Sequence, residues 1–223
     1  MAGKTGGKPR RGAGKGRQGG SVTERVVAAA LDLGSEGGWK SITLAGIAER
    51  AGLTLAQLHG DFPTKGAIAG AFLANIDQAV LAGGPADPAE PARDRLFEVL
   101  MRRFDALAPH KRALAELARG ACAESAAACA VWPRFMRSMA WMVEAAGLSS
   151  SGLGGQVRVS GLALIYLNAF RVWLDDDSKD MAATMAALDK GLRQADRMAG
   201  LCCGLKRWGG EGEGEGEEAA AAG

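Results

Sequence analysis

Hydrophobic residues recur at intervals of three and four along most of the chain, and no stretch keeps the two-residue rhythm of a strand. The pattern predicts an all-α protein of about nine helices. Val26, Val27, Ala30 and Leu31 form the first stripe, which predicts a helix from Ser21 or Thr23 to Leu33, with Gly34, Gly37 and Gly38 breaking it. Leu44, Ile47, Ala48 and Ala51 then stand at i, i+3, i+4 and i+7, a short amphipathic helix. Gly52 follows where a helix ends and a positive φ is wanted. Thr54 offers a hydroxyl N-cap to a second short helix beginning near Leu55. Two short helices across such a turn make a helix-turn-helix, whose second helix can lie in a DNA major groove.

Pro63 and Thr64 close this segment, and Thr64 or Lys65 opens a helix with Ile68, Phe72, Ile76 and Leu81 along one side. Residues 83–91 hold three prolines and two glycines, which marks a linker between a head (21–82) and a body (92–208). The body opens with Leu96, Phe97, Leu100, Phe104 and Leu107 at helical spacing, with Arg93, Arg95, Arg102 and Arg103 read on the opposite side. Pro109 stops that helix, a second spans about Lys111 to Ala130, and Trp132-Pro133 reads as the start of a third reaching Ala146. Gln156–Leu174 is apolar almost all round, interrupted by Asn168 and Arg171, so it belongs in a core or a subunit interface. The last helix, to about Met198, turns Met181, Met185, Leu188 and Leu192 inward. Beyond it Leu201, Leu205 and Trp208 form a stripe that is read as folding back on its own domain rather than lying on a membrane surface.

Composition narrows the classes. A chain of 223 residues, 48% hydrophobic, buries a core without disulfides or metal. Cys122, Cys129, Cys202 and Cys203 show no CxxC spacing and only two histidines are present, so zinc is not expected and the thiols suit a reducing, cytoplasmic setting. No run of about 18 apolar residues suggests a membrane span. Residues 1–20 carry Lys4, Lys8, Arg10, Arg11, Lys15 and Arg17 among glycines, a disordered basic arm suited to phosphates. Residues 209–223 carry five glutamates among Gly and Ala, a disordered acidic tail. Asp175, Asp176 and Asp177 before Ser178 read as helix-capping acids in preference to metal ligands. No nucleophile elbow, phosphate loop or Cys–His pairing is present, so neither an enzyme nor a cofactor is expected.

The stretch Ser41–Leu73 resembles the DNA-binding head of the TetR family of bacterial regulators. The resemblance rests on Thr43, the pair Ile47-Ala48, the turn Ala51-Gly52-Leu53-Thr54, then Phe62 and Lys65, matched without a gap. It implies DNA contacts at Thr43, Thr54, Gln57, His59 and Lys65, with Gln57 suited to an adenine edge. Position 59 is tyrosine in the family and histidine here, and Thr54–Asp61 contains no Lys or Arg. From Ser21 to Leu81 four basic residues stand against six acidic ones, a head of net −2. The resemblance also implies a homodimer through the last two long helices and a body that holds a small apolar effector. Candidate lining residues are Phe104, Phe135, Met139, Met142, Tyr166, Asn168 and Phe170, with the alternative that they fill one another's space. Parts of the body (95–107, 137–147 and 171–192) are similar to the ubiquinone-biosynthesis accessory proteins, which share the TetR fold and bind isoprenoid lipids. A lipid-binding accessory protein with weak or no DNA binding is therefore the alternative function.

Overall fold

Each of the first four helices begins at a hydroxyl. Ser21, Thr43, Thr54 and Thr64 accept hydrogen bonds from the backbone N–H of Glu24, Gly46, Gln57 and Ala67, the donors that a helix start leaves orphaned. In the computed structural model, residues 21–121 and 125–201 are described. They form α1 (Val22–Ser41), α2 (Leu44–Arg50), α3 (Leu55–Asp61), α4 (Lys65–Leu81) and α5 (Ala92–Leu107). A 3-10 turn (Ala108–His110) leads to α6 (Lys111–Ala121), then α7 (Ser125–Ala145), α8 (Gly152–Asp175) and α9 (Ala182–Leu201). Among the described residues there is no strand.

Two cores organise these helices. The head core gathers Val26, Ala30, Ile47, Leu58, Phe62 and Ile68, and it is closed from beyond the linker by Ala113 and Leu117 of α6. The body core gathers Leu96, Leu100, Phe104, Met142, Leu162 and Trp173 with Leu188 of α9. Burying each such side chain contributes roughly 1.5–3 kcal/mol. Helix α4 belongs to both cores, with Ile68 in the first, Ile76 and Val80 in the second, and Phe72 touching each. The Pro/Gly segment 83–91 is irregular yet fastened to the body. Ala86 is buried and donates to the Ala145 carbonyl at 3.3 Å, while Arg102 donates to the Gly84 carbonyl at 2.8 Å.

Several elements depart from expectation. Helix α1 runs through Gly34 and Gly37 and is broken only at Gly38, where φ is 74°. Gly34 is a packing position instead: a Cβ there would stand 3.3 Å from Leu117 Cδ2, so glycine lets α6 lie close. Helix α7 begins at Ser125 and passes through Pro133, which is exposed, so its ring interrupts the helical ladder on the solvent side. By length and hydropathy α8 reaches what a membrane crossing needs, but one side of it packs into the body core. The basic arm, the acidic tail, residues 202–208, Cys122 and the side chains of Trp39 and Cys129 lie outside what is described.

Candidate nucleic-acid interface and ligand core

The turn between α2 and α3 is built as the spacing requires. Gly52 takes φ 67°, and the N–H groups of Gly52 and Leu53 bond back to the carbonyls of Glu49 and Ala48 at 3.0 and 2.8 Å. Leu58 is the buried residue of α3, set into the head core, and Leu55, Gln57, His59 and Asp61 all face solvent. Thr54 and Gln57 form a capping box. The Gln57 Oε1 accepts the Thr54 N–H at 2.9 Å, and the Thr54 hydroxyl accepts the Gln57 N–H at 3.2 Å. Gln57 therefore holds the start of α3 with its oxygen, while its amide N–H groups take no part in the capping box. Thr43 is likewise exposed and spent on the α2 cap.

Three cations of the head are engaged within it, two part-buried and one at the surface. Arg25 donates to the Ala51 carbonyl at 3.3 Å, and Lys65 donates to the Ile42 carbonyl at 3.2 Å. Arg50 grips Glu36 with both nitrogens at 2.9 and 3.0 Å, and this bidentate pair lowers the Glu36 pKa and raises that of Arg50. Of the four basic residues counted in the head, Arg25 and Lys65 tie part-buried carbonyls, Arg50 makes an exposed ion pair of small energetic weight, and the Lys40 side chain lies outside the description.

Within the body, most of the expected lining residues come together. Phe104, Tyr166, Phe170, Trp173 and Phe135 form a continuous run of ring contacts with centroids 5.3–5.9 Å apart, which reaches exposed Trp132 at its outer end. Met139 and Met142 are fully buried beside them. Asn168 is not with them. It lies two residues, about 200° around the helix, from Tyr166 and faces solvent, so it adds no polar group to this cluster.

A polar centre that the hydrophobic pattern did not reveal sits against these rings. Arg103, expected on the outer face of α5, is 1% exposed. Its guanidinium donates to Asp77 Oδ1 of α4 at 2.5 Å, and the Ser138 hydroxyl of α7 donates to the same oxygen at 2.5 Å. The guanidinium also lies 5.4 Å from the Tyr166 ring centre, and burial raises the pKa of that phenol. Leu96, Leu100, Arg103 and Leu107 are spaced i, i+4, i+7 and i+11, so Arg103 lies in the buried stripe by register alone.

The aspartate run ends α8 and starts α9. Asp176 Oδ2 accepts the Thr184 N–H at 2.9 Å and its hydroxyl at 2.7 Å, while Oδ1 accepts from Ser178; these bonds hold its pKa far below the ordinary carboxylate value. Asp177 faces Lys111 Nζ at 3.5 Å, and Asp175 is exposed. Nearby, burial lowers the pKa of His110, whose ring meets Phe72 edge-on at 5.3 Å.

No family model matches the chain, and no curated protein matches it. Solved structures do. A TetR transcriptional regulator from Nitrosomonas europaea superposes with a TM-score of 0.61 at 22% identity, over 79% of this chain and 98% of that one. One from Rhodococcus sp. RHA1 gives 0.58 at 19% identity, over 83% and 97%. A TetR-family regulator from Streptomyces coelicolor gives 0.50 at 17%, over 80% and 83%. Hydroxyl-capped helix-turn-helix, shared helix α4 and all-helical body together give this chain the fold of the TetR-family transcriptional regulators.

Proposed function

We infer that the protein is a DNA-binding transcriptional regulator, a homodimer in which α3 enters the major groove and the body answers to a small ligand. The observation that carries this reading is the outward face of α3, where Gln57 and His59 stand clear of the head core with only Leu58 anchored beneath. In this reading residues 21–82 form the head and 83–91 the linker. Thr54 and Thr43 set the helices down on the backbone, and Gln57 and His59 read edges. Because Arg25, Arg50 and Lys65 are engaged within the head, phosphate neutralisation falls to the basic arm. Leu153, Val157 and Leu164 of α8 are 84%, 61% and 68% exposed, an apolar stripe on the helix that pairs with α9. A second copy covering that stripe makes the dimer, in the cytoplasm where DNA is met.

The same engagement of Arg25, Arg50 and Lys65 within the head favours a second reading, a ligand-binding body whose head no longer binds DNA. The two separate in one experiment. Genomic fragments are selected on the full-length protein, and the enriched duplex is titrated by fluorescence anisotropy at about physiological ionic strength. A regulator retains a sequence at a Kd at least about a thousandfold below random duplex. Equal, weak binding to every duplex leaves the accessory-protein reading standing.

A further inference from the structure

Outside the aromatic core, α4 and α7 leave an open cavity of about 260 Å³ between them. On the α7 side Arg134, Arg137, Ser138 and Trp141 stand at i, i+3, i+4 and i+7, so a single face of one helix lines it. On the α4 side Ala67, Gly70 and Ala74 repeat at i, i+3 and i+7. Their small size is what keeps the space open, and at Gly70 even a Cβ would strike the Arg134 stem. The one acid in the lining, Asp77, is already balanced by Arg103 at 2.5 Å and also accepts from the Ser138 hydroxyl, so the floor is a charge-neutral ion pair. The walls therefore keep at least the charge of Arg137, which makes no ion pair among the described residues. Trp141 is 51% exposed beside it, a large flat apolar face turned to the opening.

The geometry points to a binding site for a small aromatic carboxylate. Its anionic end pairs with the Arg137 guanidinium, planar and suited to a carboxylate. Its ring lies on the indole of Trp141. The volume lies just below the usual range of roughly 300–1,000 Å³ for ligand pockets, which limits the body to one or two fused rings. This deepens the regulator reading by naming an effector chemistry different from the apolar one expected of the core. It rests on that reading only for its consequence: α4 carries side chains in both the head and body cores, so a ligand wedged against it acts on both.

The test uses the full-length chain and no DNA, so it stands or falls apart from any operator. 1-Naphthoate is titrated by calorimetry at low salt, with 1-naphthalenemethanol as the uncharged analogue. The expected result is one saturable naphthoate site per chain, at least tenfold weaker for the alcohol. Arg137→Gln should weaken naphthoate at least tenfold. Ala74→Phe, which fills the groove without touching a charge, should abolish binding. Circular dichroism and thermal melting check that both variants stay folded. Absence of saturable binding at millimolar naphthoate, equal binding of the alcohol, or unchanged affinity in either variant overturns the assignment.

Discussion

Replacing Arg103 by methionine is the sharpest test of how the body is held together. The methionine keeps most of the buried stem and removes the guanidinium, so Asp77 is left with the Ser138 hydroxyl alone. Arg103 is 1% exposed, so water cannot take the place of the lost cation on its own side, and the Asp77 side chain, 12% exposed, meets water only at the floor of the α4–α7 cavity. Removing one partner of such a buried pair costs about 3–5 kcal/mol, because the other charge stays buried without compensation. Against a total stability of roughly 5–15 kcal/mol this is a large fraction. With a urea slope of about 2–3 kcal/mol/M, the midpoint of helix loss followed at 222 nm should fall by about 1–2.5 M. Adding Asp77→Leu to the same chain removes the orphaned carboxylate, and the double variant should recover to within about 1 kcal/mol of the parent. Ser138→Ala leaves the ion pair in place and should cost about 1.5–3 kcal/mol, one charged hydrogen bond. A loss below about 1 kcal/mol in Arg103→Met, or a double variant as weak as the sum of its parts, would refute the reasoning.

Leu164→Glu places a charge in the exposed stripe of α8 and should turn a dimer of about twice 23.0 kDa into a folded monomer by sedimentation; two identical dimers would reject the interface. Gln57→Glu keeps the capping box but sets a negative charge on the outer face of α3, so specific DNA binding should vanish with the melting curve unchanged. Deleting residues 1–20 should flatten the salt dependence of DNA binding by roughly 0.9 in slope per lost phosphate contact; an unchanged slope rejects the arm. His110 has a folded pKa below its ordinary 6.5, so the stability it contributes is complete above that value and is lost as pH falls through the lowered one. His110→Gln should flatten stability against pH on that acid side, and an imidazole pKa at or above 6.5 by NMR would contradict the packing against Phe72. Met139→Trp forces extra volume into a fully buried position and should cost about 1–3 kcal/mol; a neutral result would show spare room beside the rings.

What the sequence made legible was chiefly local. A hydroxyl three residues ahead of the amide it caps is a short-range signal, so spacing places Thr54 as a cap and Thr64 as one of two starts, while Thr43 enters only through the resemblance and its capping bond was not legible. The glycine of the α2–α3 turn was legible for the same reason, since its positive φ is set by its neighbours. Arg103 was hidden because its charge argues for solvent while its register argues for the core, and only Asp77, a helix away, settles which wins. Gln57 was legible as an exposed amide, but its bond to Thr54, and hence how much of it remains for a base, depends on a rotamer. Asn168 was misplaced because α8 is apolar on both faces, which leaves no hydrophobic contrast to show which side is inward. Pro133 misled in the opposite direction, since a proline in the first turn and one in an exposed mid-helix position look alike in a one-dimensional pattern.

The close contact of Gly34 with Leu117 bears on how such a protein can be taken apart. Because Ala113 and Leu117 complete the core around Val26 and Ile47, the smallest self-sufficient unit around the helix-turn-helix is discontinuous along the chain. A graft that moved residues 21–82 onto another body would carry an uncovered apolar face wherever the new α6 failed to offer a leucine opposite a glycine. Exchange of this head for another thus requires that α1 and α6 change together.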